Sequence, residues 1–349
     1  MFLRKPPMPE PRRARLILPG LLGPISDPDA VARIATPLPD LAGLLRTATV
    51  DRSAVADGEG AFCHAFGIDG PPWPIAATAR YGEADTPAQA SGWWLRLDPV
   101  HLRVDSNHAR LFGPHVLGLD ADEAARLVER LNGHLAQDGL SIEAPAPARW
   151  YVRLAEAPRF TTHPLPEVAG RNVNPFLPQG PGADRLRGWL TELQMLLHDA
   201  PTNDARERAG RLPANSVWPW GESTVAAPTT APVHVISAHP LACGLARLSS
   251  LAPQTDPVPP AQWRQGTTLI VDAAARDPLI HGEVEGWLEE LARLERTWIT
   301  PLRRALDTGA LDRIELEGGD GRRFIASRAA RYRFWRRERP WYHWLAQGA

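Results

Sequence analysis

From Pro232 onward the sequence alternates short apolar runs with longer helical stretches, and this alternation narrows the fold more than any other feature. "VHVIS", "TTLIVDA" and "DRIELEG" have the length and apolar density of buried strands. Between the second and third lies "GEVEGWLEELARLERTWITPLRRALDTG", where Trp287, Leu291, Leu294, Trp298 and Leu302 share one helical stripe that stops at Gly309. A strand, a helix and a second strand in that order bring the chain back in the same direction. The order predicts a parallel sheet with covered faces, and so an α/β core.

The rest of the chain supplies further elements. Residues 15–18 read as a short buried strand that turns at Pro19, Gly20, Gly23 and Pro24. "TPLPDLAGLLRTA", from Thr36, spaces Leu38, Leu41 and Leu45 as a helix does. A Gly/Asp-rich stretch at 57–60 and a polar connection at 82–92 follow. "WWLRLDPVHLRV" (93–104) alternates as a strand, with Pro99 marking an edge or a bulge. "LDADEAARLVERLNGHL" is a helix: Asp120 can cap it, Glu123 stands at the capping-box offset, and Ala124, Leu127, Leu131 and Leu135 share a face. "RWYVRLA" (149–155) reads as another strand. "LRGWLTELQMLLHD" (186–199) reads as a helix with Leu186, Leu190, Leu193 and Leu197 on one side. At 349 residues the chain is longer than one core usually spans, which predicts two domains.

Charge and motifs exclude several functions. With 39 Lys and Arg against 40 Asp and Glu, the chain lacks the basic excess of a nucleic-acid or membrane-surface binder. Lys5 is the single lysine, so no phosphate-binding Walker loop is present and no nucleotide cofactor is expected. Cys63 and Cys243 are too few for a disulfide framework or a Cys-rich zinc site. "LILPGLLGPI" is broken by Gly and Pro and too short to span a bilayer; it reads as strand and turn, and the chain as cytoplasmic. The tail "RYRFWRRERPWYHW" mixes arginines with aromatics that could stack on bases, but it reads better as closing a sheet against its last strand.

Within "TTLIVDAAARDPLIHGEVE", Asp277 and His281 stand four apart where an apolar strand gives way to a loop. Loops after strands are where α/β sheets hold ligands, and a carboxylate with an imidazole suits Mn²⁺ or Zn²⁺. Two polar residues can equally close a loop. The spacing alone leaves both readings open.

The middle of the chain carries more. "ELQMLLHDAPTNDARERAGRLPANSVWPWGE" (192–222), followed by "HVISAHPLACGLARLSSL" (234–251), resembles the archaeal-type cofactor-independent phosphoglycerate mutases. Asn203, Arg206, Gly210, Pro213, Ala214, Asn215, Trp218, Trp220 and Gly221 stand at that family's motif positions, as do Gly244, Ala246 and Arg247. "WLRLDPV", the helix at 120–136 and "RWYVRLA" look like its inserted substrate domain, and "TPLPDLAGLL" like its amino-terminal helix. The resemblance implies an alkaline-phosphatase-like α/β fold: a mostly parallel sheet flanked by helices at residues 1–88 and 213–349, with an inserted α+β domain at 89–212. It further implies two Mn²⁺ ions, a serine nucleophile and a phosphoglycerate substrate.

By that resemblance Asp277 and His281 match a D-x-x-x-H ligand pair, and Asp320 a further metal ligand. Elsewhere the pattern departs. Pro19-Gly20 stands where the first strand should end in Asp-Gly, Gly58 falls at the serine position, and Gly321 follows Asp320 where histidine is expected. Losing a ligand weakens a site by orders of magnitude, and losing the nucleophile removes the covalent route. Rescue would need Ser53, Asp57 or His64 to fill the vacancy. Arg96, Arg149, Asn203, Arg206, Arg211 and Asn215 are the expected substrate-binding residues, since guanidinium forks suit phosphate and carboxylate. Some of these arginines could instead pair with Glu192, Asp199, Asp204 or Glu207. Cys243 stands where the family often has a basic residue.

The expectation is a phosphoglycerate-mutase-like protein of a degenerate bacterial branch that binds a small phosphorylated or carboxylated metabolite or acts in regulation. It retains at most one divalent metal, Mn or Zn, in an incomplete site. The alternatives are an active metal-dependent mutase or phosphohydrolase with a rearranged site, and a protein whose tryptophan-rich surface binds a protein partner. Neither nucleic acid nor membrane is expected as a partner.

Overall fold

A computed structural model describes residues 10–55, 58–83, 91–105, 108–329 and 337–346. Lys5, Asp57, residues 84–90 of the polar connection and residues 331–336 of the Arg/Trp tail lie outside the described residues. In chain order the strands are β1 Arg12–Ile17, β2 Thr49–Arg52, β3 Trp93–Asp105, β4 His108–Phe112, β5 Ile142–Ala146, β6 Arg149–Leu154, β7 Ser216–Ser223, β8 His234–Ser237, β9 Gly266–Val271, β10 Arg313–Glu317 and β11 Arg322–Ser327. Two compact units result: one comprises Met1–Gly70, Ala227–Leu279 and Glu283–Ala349, the other Pro71–Ala226 and Ile280–Gly282.

The first unit is α/β. Its sheet runs β2-β11-β10-β1-β9-β8, with β10, β1, β9 and β8 parallel and β11 and β2 antiparallel at one side. The parallel part is what strand–helix alternation predicts. The antiparallel pair escapes such a reading because "TVDR" and "RRFIAS" are short and charge-rich. Ala14, Leu16, Ile270, Ile314, Leu316 and Phe324 face a core completed by Trp287, Leu291, Leu294 and Leu302. Helices Gly58–Ala65 and Pro240–Leu248 pack on β1 and β8.

The long apolar stripe forms as expected, but not as one helix. Val284–Leu294 and Thr300–Thr308 are joined by a π-helical turn at Glu295–Ile299, and Gly309 ends the second at φ +84°. The extra residue in that turn has a use. Glu295 accepts from the backbone N–H groups of Asp40 (2.7 Å) and Leu41 (3.0 Å), capping helix Pro39–Thr47, whose own N-cap residue is Leu38 and gives no side-chain bond. Burial holds the Glu295 carboxyl above the ordinary carboxylate range in spite of those two donors.

The second unit is built on an antiparallel sheet, β4-β3-β6-β5, with β7 paired along β3. Helix Ala121–Leu135 lays Leu127 and Leu131 on it, and helix Ala183–His198 adds Leu186, Leu190, Leu193 and Leu197. The capping box forms: Asp120 Oδ1 accepts from Glu123 N (2.7 Å) and Glu123 Oε2 from Asp120 N (3.2 Å). The unit reaches beyond 89–212 at both ends because helix Ile75–Glu83 packs on β3 and β7. Among the described residues no helix is long and apolar enough to cross a membrane.

Candidate functional site

Parallel strands deliver their carboxyl ends to one edge of a sheet, where α/β proteins gather their chemistry. In the first unit the register aligns Ile17 of β1 with Glu317 of β10 and Val271 of β9, and Val271 with Ser237 of β8. The loops that leave this edge carry Pro19 and Gly20, Asp272 to Asp277, His239, and Gly318 to Gly321.

Two of these loops press together. Gly20 has φ +86°, and a Cβ there would come 2.7 Å from Arg276 Cα and 2.8 Å from the Ala275 carbonyl, so only glycine fits. That approach delivers Arg276 to helix Gly58–Ala65, where its Nη1 donates to Glu59 Oε1 at 2.7 Å. Glu59 is 4% exposed. Burial works to raise its pKa, but the Arg276 guanidinium and His239 outweigh burial and leave the carboxyl below its ordinary value. A Cβ on Gly58 would lie 3.0 Å from the Pro19 ring and 3.3 Å from Arg276 Nη1. The direction a side chain at 58 would take is filled by the proline and the guanidinium.

Other carboxylates along this edge have guanidinium partners as well. Asp272 accepts from Arg293 Nη2 at 2.9 and 3.0 Å and from Trp298 Nε1 at 2.9 Å. Glu317 accepts from Arg15 Nε at 3.0 Å and from Ser53 Oγ at 2.5 Å. Asp320 is ion-paired with Arg322, whose backbone N–H it also accepts at 3.1 Å. Ser53, Gly58, Glu317, Gly319 and Gly321 border a cavity of about 10 Å³, room for roughly one water.

The three expected metal ligands are not gathered into one cage. Asp277 and His281 share the short helix Arg276–His281. His281 belongs with the second unit, where its Nε2 accepts from Gly113 N–H at 3.1 Å and its ring lies 6.0 Å from that of His115. Asp320 is committed to Arg322. Among the described residues no group of three or more His, Cys, Asp or Glu side chains could hold an ion. His64 lies on helix Gly58–Ala65 with its Nδ1 3.2 Å from exposed Asp69.

The six expected substrate-binding residues all lie in the second unit, on partners within the chain. Arg96 makes a bidentate pair with buried Asp98 (3.1 and 2.7 Å) and lies between the rings of Tyr151 and Trp220 at 5.0 and 4.9 Å. Asp98 also accepts from Trp150 N–H and Trp220 Nε1, and its charge raises the Arg96 pKa against the cost of burial. Arg149 pairs with Glu83 at 2.7 Å, which accepts the Tyr151 hydroxyl as well. Arg206, fully buried, donates to Glu123, to the Leu117 carbonyl and to the Leu212 carbonyl, and Arg211 reaches the same Glu123. Asn203 bridges the Leu197 and Ala214 carbonyls and accepts from Ala214 N–H. Asn215 exchanges two backbone bonds with Leu102. The acidic partners are thus Asp98, Glu83 and Glu123 rather than Glu192, Asp199, Asp204 or Glu207; Glu192 meets His134 instead. Sequence reading saw Glu123 as a capping residue and Arg206 as a ligand, but not that one satisfies the other.

The Glu59–Arg276 pair was also missed. Its signal was available: a carboxylate beside Gly58, which falls at the serine position of the resemblance, and an arginine beside Asp277, an expected metal ligand.

No family model matches the chain. A stretch of 148 residues is 27% identical to the 2,3-bisphosphoglycerate-independent phosphoglycerate mutase of Methanosarcina barkeri, covering 41% of this chain and 37% of that protein. A 151-residue stretch is 24% identical to the enzyme of that name from Methanosarcina mazei, covering 42% and 38%. A 75-residue stretch is 35% identical to a probable enzyme of the same name from Geobacter sulfurreducens, covering 22% and 18%. The chain therefore spans under two fifths of the length of these curated relatives. Among solved structures, a cofactor-independent phosphoglycerate mutase from Thermoplasma acidophilum aligns over 91% of this chain and 89% of its own, with 15% identity and a TM-score of 0.42. A protein from Pyrococcus horikoshii aligns over 92% and 88%, with 16% identity and a TM-score of 0.48.

Proposed function

We propose that this chain, which belongs with the cofactor-independent phosphoglycerate mutases, has lost phosphoryl transfer and serves as a small-anion-binding or regulatory protein. The observation that carries this reading is the crowding at Gly58. The position that matches the family's nucleophile has no side chain, and the space one would need holds the Pro19 ring and the Arg276 guanidinium. Even a Cβ there would press on both at closer than ordinary van der Waals contact.

The donors at the sheet edge do not suit a pair of divalent ions. Glu59, Asp272, Glu317 and Asp320 each meet an arginine, so positive charge that ions would bring is already supplied by the chain. Metal entry would first have to break these ion pairs at buried or half-buried carboxylates, which opposes it. Proline at position 19 offers no side-chain ligand. The alternative, an active metal-dependent mutase or phosphohydrolase, would need a substitute nucleophile. Ser53 borders the same cavity as Gly58, but its hydroxyl is engaged by Glu317 and that cavity admits about one water, far less than a phosphate ester.

Assays of 3-phosphoglycerate and of para-nitrophenyl phosphate with Mn²⁺ or Zn²⁺ are expected to give no turnover above buffer. Mn²⁺-dependent turnover abolished by Asp277→Ala, or two metal ions per chain after purification in Mn²⁺, would overturn the proposal.

A further inference from the structure

We propose that the groove between helices Pro28–Ile34 and Pro39–Thr47 and the segment Glu338–Tyr342 binds a small aromatic carboxylate. It encloses about 490 Å³, a size typical of small-molecule sites. Its floor is apolar, formed by Ala35, Pro37, Leu38 and Ala42. Tyr342 makes one wall, backed by Trp341, which is 1% exposed. Trp341 is fixed: its Nε1 donates to the Thr36 carbonyl at 2.9 Å, and its ring meets Trp287 edge to face at 5.9 Å. A flat ring has an apolar floor and the Tyr342 ring to pack on.

Charge selects the other half of the ligand. Arg46, Arg303 and Arg339 line the groove together with one acid, Glu338, and Arg303 is also ion-paired with Asp40 at 3.4 Å. Arg303 is held in place, with Nη1 donating to the Pro39 and Asp40 carbonyls at 3.1 and 3.3 Å. It lies over Gly43, where a Cβ would fall 1.9 Å from Nη1, so glycine at 43 is what seats the guanidinium on the helix. Arg46 Nη1 meets Glu338 Oε1 at 2.8 Å, and the Glu338 side chain is 87% exposed. An exposed pair of this kind is weak. Glu338 stands where the carboxylate of a ligand would sit and is displaced by it.

This site gives the anion-binding reading above a location and rests on it. The loss of turnover is assayed separately and stands or falls without it. The probe is naphthalene-2-carboxylate, followed by tryptophan fluorescence and calorimetry on the full chain, with the neutral carboxamide as control. The acid is expected to bind saturably at one site, at least about tenfold more tightly than the carboxamide, a difference on the scale of one charge-assisted contact. Arg46→Gln should weaken it about tenfold or more, whereas Glu338→Gln should tighten it roughly threefold by removing the competitor. Both substitutions are on partly or largely exposed side chains, and circular dichroism checks that each variant folds. Absence of saturable binding, equal binding of the carboxamide, or shifts of the same sign in the two variants would overturn the proposal. So would a dimer in sedimentation that Arg46→Gln disperses, because a second copy would then be the occupant.

Discussion

The two compact units both set arginine against buried carboxylate, and they do it for different reasons. In the second unit the arginines and asparagines that match the mutase motifs hold backbone. Asn203, Asn215 and Arg206 between them satisfy carbonyls and amides of Leu102, Leu117, Leu197, Leu212 and Ala214. In the first unit Pro19 and Gly58 lie against each other, and Arg276 and Glu59 pair beside them. The motif that makes the likeness visible is therefore architectural. Asn215 ties the residue before β7 to Leu102 of β3 whatever the chemistry elsewhere, so a matching "PAN" and "WPWG" speak for the scaffold and carry no information on the reaction.

The comparison is most exposed at Arg206. Removing a fully buried guanidinium leaves Glu123 short of its buried partner and two carbonyls without a donor, so Arg206→Met should cost about 3–5 kcal/mol. Urea denaturation of the variant measures it. A loss below about 1 kcal/mol would mean that this position is a ligand after all, and the architectural reading of the motif would fail.

At the sheet edge the expected effect is smaller and its pattern matters more. Glu59→Gln or Arg276→Met alone should cost about 1–3 kcal/mol, because each leaves the other's charge without its partner. The double variant should recover most of that loss, as neutral replacements of an ion pair commonly do. Strict additivity of the two losses in the same denaturation experiment would show that the pair is not a closed unit, and the claim that Arg276 stands in for external cations would lose its basis.

Much of this architecture was readable in advance. Strand–helix alternation after Pro232 predicts β8, β9 and β10 and their parallel order, and the stripe from Trp287 to Leu302 predicts the helices between the last two. What the stripe could not reveal is the π-helical turn, since one added residue rotates the helix without breaking the apolar face, and its cause, the capping of Asp40 and Leu41, lies far away in sequence. The strands β2 and β11 were hidden because an edge pair with arginine and aspartate on it lacks the apolar density of a buried strand. At the candidate site, single positions were legible and pairings were not. Arg96, Arg206 and Arg211 stood out as cations, but what a cation does depends on whether a carboxylate such as Asp98 or Glu123 folds against it.

The smallest effect is a pH dependence, and it separates two buried carboxylates of the first unit by sign. Glu59 has its pKa lowered from an ordinary 4.5, so its contribution to stability is present above about that pH and is lost as pH falls through the folded value. Glu295 has its pKa raised from the same 4.5 by burial, so its contribution is complete below that pH and is lost as pH rises through the folded value. Folding stability measured from about pH 3 to 6 should therefore fall less steeply on the acid side in Glu59→Gln than in the parent, each group adding at most about 1.4 kcal/mol per pH unit. Glu295→Gln should leave that acid limb intact and flatten the curve above 4.5 instead. If Glu59→Gln left the acid limb unchanged, the carboxylate would not be held charged by Arg276. The sheet edge would then be a neutral patch that happens to contain an arginine, and the pairing of arginine with buried carboxylate would be a property of the second unit and not of both.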